Sequence, residues 1–582
     1  MFDFSYKKNK NKKLFEDFRN PELTNFETIQ NYIPHYSIFF SLSDTNWNSI
    51  NLNSPKCIKS IYEKNNENTY TIEINNGKSI KSFFKFAPII NPVKYLSGTY
   101  KKYDDNMLYS IPSLDNVINK EKDKIHKSMI RKNNNSYVDS FFSYLSNKLK
   151  QQYGFIHGQE FYGSFLGLKN NFHLNIIEDI DYLTEFDYFN DNIDKIYTLD
   201  GSLRDVFGNY TRKNKDVIQI TDMELTTDTS MNEIPPELNT IFDVSNNSEK
   251  NKILNLSDIS DTNSELVFEY DLPKNTKNNS ETSSNNSSNT SNTSKTSNND
   301  TNSENDNSYN ESESDSESYT TGSSSCISEE NLNAVIHKIP VQVICLENMI
   351  DTLDKYMDTY DVDDNEWRSI LIQVIFILLT YQKCFDFTHN DLHTNNIMYT
   401  ETEEEYIYYK FNKKFYKVPT YGKIWKIIDF GRAIYTFKGN QIISDSYHPN
   451  EDAATQFNFG IYYNKEKPII KPNYAFDLCR LGCSLFDYFF DDIKEGKNAE
   501  SDIEKIIYNW CCDDNDINVL YKNNNKERYE GFKLYKMITR TVTKHTPKNQ
   551  LDNPFFNKYT CQRRHINKSS TLINIDNMEN HT

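Results

Sequence analysis

A polar run at 388–398, T-H-N-D-L-H-T-N-N-I-M, holds residue types that do chemistry on hydroxyl groups. His389, Asp391 and Asn396 follow the spacing H-x-D-x-x-x-x-N, and the apolar 397–399 directly after them predicts a short strand. A carboxylate on such a loop can accept or orient a hydroxyl proton, and an amide oxygen can bind a divalent cation. The spacing therefore predicts that Asp391 orients a nucleophile while Asn396 binds a metal ion.

A second run, K-I-I-D-F-G-R-A at 426–433, adds another metal-binding candidate. The pattern at 424–428 predicts a strand that ends at Asp429, and Gly431 lets the backbone turn afterwards. Phosphoryl transfer needs an oriented nucleophile and Mg²⁺, which keeps waters and takes few protein ligands. Together the two runs predict phosphoryl transfer. The alternative is a surface turn and an unrelated D-F-G turn.

Charge is distributed unevenly along the 582 residues, whose net charge is -18. Residues 241–330 hold 17 acidic and 5 basic residues, and therefore 12 of the 18 net negative charges. This stretch is built from Ser, Asn, Glu and Asp with few apolar residues, which predicts a disordered insert. The rest of the chain is only mildly acidic, so we expect no nucleic-acid partner.

The sequence favours an intracellular, reducing location. Residues 1–15 are rich in Lys and Asn and lack the apolar core of a signal peptide. The longest apolar run, 370–379, is too short to span a bilayer, so no membrane partner is expected. The nine cysteines show no C-x-x-C spacing.

The elements upstream of the two runs are mainly strands. Three antiparallel strands are predicted at 57–62, 69–74 and 79–86, and N-N-G at 75–77 forms a hairpin turn. Lys85 lies on the third strand, flanked by aromatic residues; an exposed strand lysine is the alternative interpretation. An amphipathic helix is predicted at 135–152, with Ser136 as its N-cap. A strand pair, or one strand with a turn at 169–171, follows at 155–176.

Order resumes after the predicted insert. An apolar strand at 340–346 leads into E-N-M-I, and a strong helical pattern covers 366–382. The segment from 430 to about 471 is predicted to be flexible. A buried helix then begins in P-N-Y-A-F-D-L-C-R-L-G-C-S, which contains Asp477 and Gly482.

The runs H-N-D-L-H-T-N-N-I-M, K-I-I-D-F-G-R-A-I-Y and F-D-L-C-R-L-G-C-S resemble the divergent protein-kinase-like family of giant (nucleocytoplasmic large) DNA viruses. From about 57 to 556 the order of the predicted strands and helices is similar to that of the family. Individual motifs are similar only from about 340 to 482. It implies an α+β, bilobal protein-kinase-like fold with a small β-rich lobe and a mainly helical large lobe. It also implies a serine/threonine-protein kinase that depends on ATP and Mg²⁺.

The resemblance gives each candidate residue a role. Lys85 would hold the α- and β-phosphates, and Asp139 would hold Lys85, with Glu121 as the other available acid. Asp391 would orient the acceptor hydroxyl, and His393 stands where a lysine usually helps to bind the transferred phosphate. Asn396 and Asp429 would bind Mg²⁺, and the backbone from Glu347 to Met349 would face the adenine. Asp477 would hold the backbone of the loop that carries Asp391 and Asn396.

Four parts follow from the same resemblance. They are an N-terminal extension at 1–50, a small lobe at 51–346 that includes the insert at 241–330, a large lobe at 347–560, and a loose tail at 561–582. A viral origin would place the protein in the host cytoplasm.

Two departures keep other functions open. No G-x-G-x-x-G joins the first two strands, and Asn390 replaces the arginine that reads a phosphorylated activation segment in many kinases. The spacing H-x-D-L-H-x-x-N also resembles antibiotic and choline phosphotransferases, so the acceptor is either a protein or a small molecule with a hydroxyl group. A catalytically weak pseudokinase scaffold is the third alternative.

Overall fold

The computed structural model describes residues 3–118, 124–201, 332–566 and 570–582. All of these residues belong to one compact unit. The predicted insert at 241–330 and the candidate Glu121 lie outside the described residues. Strands dominate the N-terminal part and helices the C-terminal part, so the described chain is a mixed α/β protein.

The structure places the strands and helices as follows. The strands are β1 (Tyr6–Lys8), β2 (Phe26–Gln30), β3 (Ile50–Leu52), β4 (Ile58–Lys64), β5 (Thr69–Ile74), β6 (Ser79–Pro88), β7 (Phe161–Asn175), β8 (Tyr197–Asp200), β9 (Asn333–Glu347), β10 (Ile397–Glu401), β11 (Tyr406–Phe411), β12 (Lys414–Pro419), β13 (Lys423–Ile427), β14 (Ile434–Phe437), β15 (Asn440–Ile443), β16 (Thr560–Cys561) and β17 (Leu572–Asn574). The helices are α1 (Lys12–Arg19), α2 (Pro92–Leu96), α3 (Asp105–Tyr109), α4 (Leu114–Ile118), α5 (Lys127–Ile130), α6 (Asn135–Tyr153), α7 (Ile180–Thr184), α8 (Asp187–Asp191), α9 (Leu353–Thr359), α10 (Asp364–Phe385), α11 (Phe476–Phe489), α12 (Ile493–Lys497), α13 (Asp502–Trp510), α14 (Lys533–Thr541), α15 (Pro547–Gln550) and α16 (Pro554–Asn557).

A seven-stranded sheet carries Lys85. Its order is β2-β7-β9-β6-β5-β4, and β8 pairs with the first residues of β9 on the edge opposite β7. The predicted strands at 57–62, 69–74 and 79–86 are confirmed as β4, β5 and β6. Along β5 the alternate residues Tyr70, Ile72 and Ile74 are buried, as the period of two requires. On β6, Lys85 lies opposite Ile344 of β9, in the middle of the sheet.

The N-terminal residues, which the sequence left unassigned, complete this sheet. β2 pairs with β7 at its edge. α1 contacts β2 and β4, and its Phe18 is fully buried in the same core. Residues 161–175 form one long strand rather than a pair. Asn171 has φ 50°, a left-handed conformation that asparagine tolerates within the predicted turn.

Helix α6 confirms the helix predicted at 135–152. Its N-cap is Asn134 rather than Ser136, since the Asn134 side chain accepts a hydrogen bond from the Ser136 N–H at 3.1 Å. Ser136 Oγ instead donates to the Pro88 carbonyl at 2.8 Å, which ties the helix to the end of β6. Gly154, at φ 66°, ends the helix in a left-handed C-cap.

Two buried helices form the centre of the C-terminal part. α10 confirms the pattern at 366–382, and its N-cap is Asp363, whose side chain accepts from the N–H groups of Asn365 and Glu366. α10 is also long and apolar enough to cross a membrane by length and composition, but 94% of its apolar window is buried inside the protein. α11 confirms the helix predicted around Asp477.

Two segments are more ordered than predicted. Residues 430–471 contain the β14–β15 hairpin and a small apolar cluster that includes Ile434, Ile443 and Tyr447, so the prediction of a flexible segment was wrong. The C-terminal residues were expected to be loose, but β17 pairs in parallel with β11, and Ile573 and Ile575 are buried. The apolar pattern of β17 is only three residues long, too short for periodicity to reveal it.

Candidate active site

A buried aspartate binds the backbone of the loop at 388–396. Asp477 of α11 accepts hydrogen bonds from the N–H groups of His389, at 2.9 Å, and Asn390, at 2.8 Å. Burial raises the pKa of Asp477, while these N–H donors and His389 favour its charged form. Asn390 has φ 64°, and its side-chain amide donates to the Arg432 carbonyl at 3.1 Å. The loop is therefore fixed to α11 and to the chain after Gly431.

The two polar runs of the sequence lie side by side. β10 and β13, which follow Asn396 and precede Asp429, pair in antiparallel register with Ile397 opposite Ile427. The Ile428 N–H donates to the Asn396 carbonyl at 3.0 Å, and the His389 ring bonds to the Ile428 carbonyl at 2.9 Å. Asn396 and Asp429 are therefore presented at the same edge of this small sheet.

Lys85 joins two carboxylates. Its Nζ lies 2.7 Å from Asp139 Oδ2 and 3.0 Å from Asp429 Oδ1. The second oxygen of Asp139 accepts from the Phe430 N–H at 2.9 Å. A strand, a helix and the turn after β13 thus meet at one ammonium group, and the structure brings together three of the residues predicted from sequence.

Lys85 and the two carboxylates shift one another's pKa values. Burial opposes the charge of Lys85, but Asp139 and Asp429 outweigh it and raise the pKa of Lys85 above its usual range. Burial also raises the pKa of Asp139, whose side chain is 4% exposed. The Asp429 side chain is 46% exposed, and the charge and hydrogen bond of Lys85 outweigh desolvation and lower its pKa to about 2. Asp429 is therefore the more acidic of the two carboxyl groups and is ionised at neutral pH.

The oxygens of Asn396 and Asp429 fit a hard divalent cation. The Asn396 side-chain N–H₂ group donates to the Asp391 carbonyl at 2.9 Å and to His393 Nε2 at 3.0 Å, which turns its oxygen away from both. Within the described residues, neither Asn396 Oδ1 nor Asp429 Oδ2 has a hydrogen-bond partner. Asp429 has φ 60°, so its carboxylate is set by a left-handed backbone.

His393 acts on Asn396 rather than as a cation. Burial lowers the pKa of His393, and its Nε2 faces the donating amide of Asn396, so the neutral ring accepts this hydrogen bond. A neutral imidazole does not supply the positive charge expected of the lysine that usually occupies this place. The geometry makes His393 a residue that positions Asn396.

Asp391 is surrounded by groups that the sequence did not single out. Tyr535 of α14 donates its hydroxyl to Asp391 Oδ1 at 2.7 Å, and Arg432 Nη1 lies 3.5 Å from the same oxygen. Arg480 of α11 donates its Nε–H to the Tyr535 hydroxyl at 3.0 Å. These residues are 41 to 144 positions from Asp391 in sequence. Arg432 and Arg480 lie within the runs K-I-I-D-F-G-R-A and F-D-L-C-R-L-G-C-S, whereas Tyr535 lies in neither run.

Glu347 and Met349 do not line the cavity next to Lys85. A cavity of about 390 Å³ is lined by Lys85, Asp139 and Asp429, and by neither Glu347 nor Met349 among the described residues. The Glu347 N–H bonds to the Glu160 carbonyl at 3.0 Å, and its carboxylate lies 2.7 Å from Lys426 Nζ. Burial lowers the pKa of Lys426 to about 8 even though Glu347 favours its charged form. The Glu347 side chain is therefore part of a buried ion pair, and an adenine contact would fall to main-chain groups.

The turn between β4 and β5 contains no glycine and is stabilised by its own hydrogen bonds. Asn66 Oδ1 accepts from the N–H groups of Asn68, at 3.0 Å, and Thr69, at 2.7 Å. The Asn68 carbonyl accepts from the Phe84 N–H at 2.7 Å, next to Lys85. The turn lies near Lys85, but the N–H groups of Asn65, Asn66 and Asn68 already donate to groups within the chain.

Residues 443–446 attach the segment after Gly431 to the start of α6. Asp445 accepts from the Asn135 N–H at 2.8 Å, and Arg131 Nη1 lies 3.5 Å from its other oxygen. The Asp445 N–H donates in return to the Asn133 carbonyl at 2.8 Å. Since α6 carries Asp139, a carboxylate already present in the chain connects this segment to the Lys85 ion pair.

Comparisons with known proteins support a kinase-like family. No protein-family model matches the chain. It is 33% identical over 108 residues to a protein of Dictyostelium discoideum named as a probable serine/threonine-protein kinase, a match that covers 18% of this chain and 9% of that protein. It is 29% identical over 147 residues to a protein of Acanthamoeba polyphaga mimivirus whose name assigns it provisionally to the same class, covering 24% of this chain and 34% of that protein. The chain thus spans about a third or less of either relative, and the matches do not single out a giant-virus group.

Proposed function

We propose that this chain is an ATP- and Mg²⁺-dependent phosphotransferase that phosphorylates serine or threonine hydroxyls of proteins. The observation that carries the proposal is the Lys85 bridge between Asp139 and Asp429, at 2.7 and 3.0 Å, beside a loop that holds Asp391 and Asn396. The partial similarity to kinases supports the same reaction class.

Each group has a task in this proposal. Lys85, kept charged by two carboxylates, would bind phosphate oxygens of the nucleotide. Asn396 and Asp429 would hold the magnesium ion, which neutralises charge on the phosphates when it is bound. Asp391 would accept the hydrogen bond of the acceptor hydroxyl and orient its oxygen. His393 and Asp477 would keep Asn396 and the loop backbone in place.

The surroundings of Asp391 favour a protein acceptor over a small cationic one. Arg432 and Arg480 stand near this carboxylate, and both are cations. A site for choline or an aminoglycoside would require acidic walls to offset the positive charge of the acceptor. A scaffold without activity, in turn, has no physical need for an assembled Lys85, Asp139 and Asp429 group.

The test is a transfer assay on the full chain. Purified protein is incubated with γ-labelled ATP, Mg²⁺ and a panel of Ser/Thr-containing proteins, choline and aminoglycosides, with Asp391→Asn as the control. We expect label in protein serine or threonine, dependent on Mg²⁺ and lost in the control. Label only in small molecules would favour the small-molecule kinase, and no label in any acceptor would favour the scaffold.

A further inference from the structure

Two side chains from separate parts of the chain approach one oxygen of Asp391, and a third side chain contacts one of these two. Tyr535 donates to Asp391 Oδ1 at 2.7 Å, and Arg432 Nη1 lies 3.5 Å from that oxygen. Arg480 supports Tyr535 by donating its Nε–H to the phenol oxygen at 3.0 Å. The chain of donors therefore runs from Arg480 through Tyr535 to the carboxylate.

The ring of Tyr535 is held by packing as well as by its hydroxyl. It stacks on Phe532, with ring centres 5.0 Å apart and planes 14° from parallel. The guanidinium groups of Arg480 and Arg432 lie 5.2 and 5.7 Å from its ring centre. Such a confined ring presents its hydroxyl in one place, at little cost in side-chain entropy.

The Tyr535 hydroxyl and the Arg432 guanidinium both approach Oδ1, which leaves Asp391 Oδ2 without a hydrogen-bond partner within the described residues. We propose that Tyr535, supported by Arg480, is a positioning residue that fixes the Asp391 carboxylate so that Oδ2 receives the acceptor hydroxyl. This inference rests on the phosphotransferase function proposed above. The rate of a transfer step depends steeply on such orientation, because misplacing a catalytic group by about 1 Å can cost roughly 10²-fold.

The opposite role is also chemically well defined. The Tyr535 hydroxyl donates to Asp391 in the way that an acceptor hydroxyl would. In this alternative, Tyr535 either blocks the acceptor or is itself phosphorylated. These outcomes differ from the proposal in the sign of the effect on turnover and in the presence of phosphate on Tyr535.

The test uses Tyr535→Phe in the full chain, which keeps the ring and removes the hydroxyl. We expect kcat to fall about 10-fold while the KM values for ATP and for the protein acceptor stay within about 3-fold, as expected for a contact that acts on orientation alone. The matched control is Tyr521→Phe, because the Tyr521 hydroxyl donates to Asp487 and to no residue of the catalytic loop. A higher kcat/KM for the acceptor, or phosphate found on Tyr535 by mass spectrometry, would overturn the proposal.

A double-mutant cycle separates positioning from loss of packing. Arg480→Lys keeps a positive charge but removes the Nε–H that bonds to Tyr535. We expect it to lower kcat in the same direction, and to add little when combined with Tyr535→Phe, since both changes break one chain of donors. Independent, multiplicative losses would contradict a shared route to Asp391.

A spectroscopic readout does not depend on activity. 3-Fluorotyrosine placed at 535 should show a ¹⁹F resonance that shifts in Asp391→Asn, while the same label at 521 should not respond. No shift at 535 would overturn the contact itself. If the shift is seen and the wild-type protein transfers no phosphate, the contact stands and the proposed function fails, so the two failures are distinguishable.

Discussion

Lys85 on β6 and Asp139 on α6 form an ion pair with 2.7 Å between Nζ and Oδ2, although 54 residues separate them in the chain. The pair connects the sheet to the helix, and Asp429 shares the same ammonium group at 3.0 Å. The group is preorganised, because its two anionic partners hold the lysine where phosphate oxygens would approach.

Removing the ammonium group should weaken nucleotide binding. Lys85→Met keeps much of the apolar stem and loses the charge, so we expect affinity for Mg·ATP to fall about 10-fold or more, as for a charge-assisted contact to phosphate. Isothermal titration calorimetry measures this directly. Lys81→Met is the matched control, since Lys81 is an exposed lysine on the same strand. Equal losses of affinity in both variants would show that Lys85 does not bind the nucleotide.

Asp445 should give stability a specific dependence on pH. Burial raises the pKa of Asp445 to about 6, with Arg131 opposing and Glu451 reinforcing the shift. Because the folded state holds this proton more tightly than the unfolded state, the contribution is fully present below about pH 4. It is lost as pH rises through about 6, and its size is roughly 2–3 kcal/mol.

Denaturant unfolding at several pH values tests this prediction. Asp445→Asn keeps an oxygen for the Asn135 N–H but cannot titrate, so its stability should not show the loss between about pH 4 and 6. Glu466→Gln, an exposed acid on the same segment, is the control and should keep the wild-type slope. Identical pH profiles for wild type and Asp445→Asn would contradict the assignment.

The long stretch between β8 and β9 should be dispensable for folding. Asp200 and Asn333 lie directly opposite each other in an antiparallel pair, so a short linker can replace residues 202–331 without moving either strand. We expect an unchanged or slightly higher melting temperature, because closing a shorter loop costs less entropy, and an unchanged nucleotide affinity. A variant with residues 241–330 shuffled is the control. A large loss of stability on excision would mean that the stretch packs against the described residues.

Local chemistry explains which parts of the site the sequence could predict. Asp391, Asn396 and Asp429 stand next to strand patterns, and the strands then pair in register. The strand pattern placed Lys85 on β6. Asp139 was the one acidic residue in the helix predicted at 135–152, and therefore the candidate partner of Lys85 there. Each is recognisable within about ten residues of chain, the range over which periodicity and turn residues are informative.

The remaining contacts depend on tertiary structure. Tyr535, Arg480 and Asp445 belong to elements whose packing against the loop or α6 is not encoded in their own spacing. His393 was predicted to stand where a lysine usually helps to bind the transferred phosphate, and burial and the Asn396 amide favour its neutral form. The order of the C-terminal tail depends on the free edge of β11, which no local pattern reveals.

In the proposed function, Asp391 orients the acceptor hydroxyl and Asp429 holds the metal ion. Asp429→Asn keeps one oxygen and loses the charge that a hard cation requires, so Mg²⁺-dependent ATP binding and transfer should both weaken. Asp391→Asn should leave ATP·Mg²⁺ affinity almost unchanged and lower turnover by roughly 10²-fold or more. The direct measurement is nucleotide affinity and phosphate transfer side by side for wild type and both variants. We expect Asp429→Asn to lose nucleotide affinity while Asp391→Asn retains it. Equal nucleotide binding by all three proteins, with no phosphate transferred to any acceptor, would contradict this division of roles.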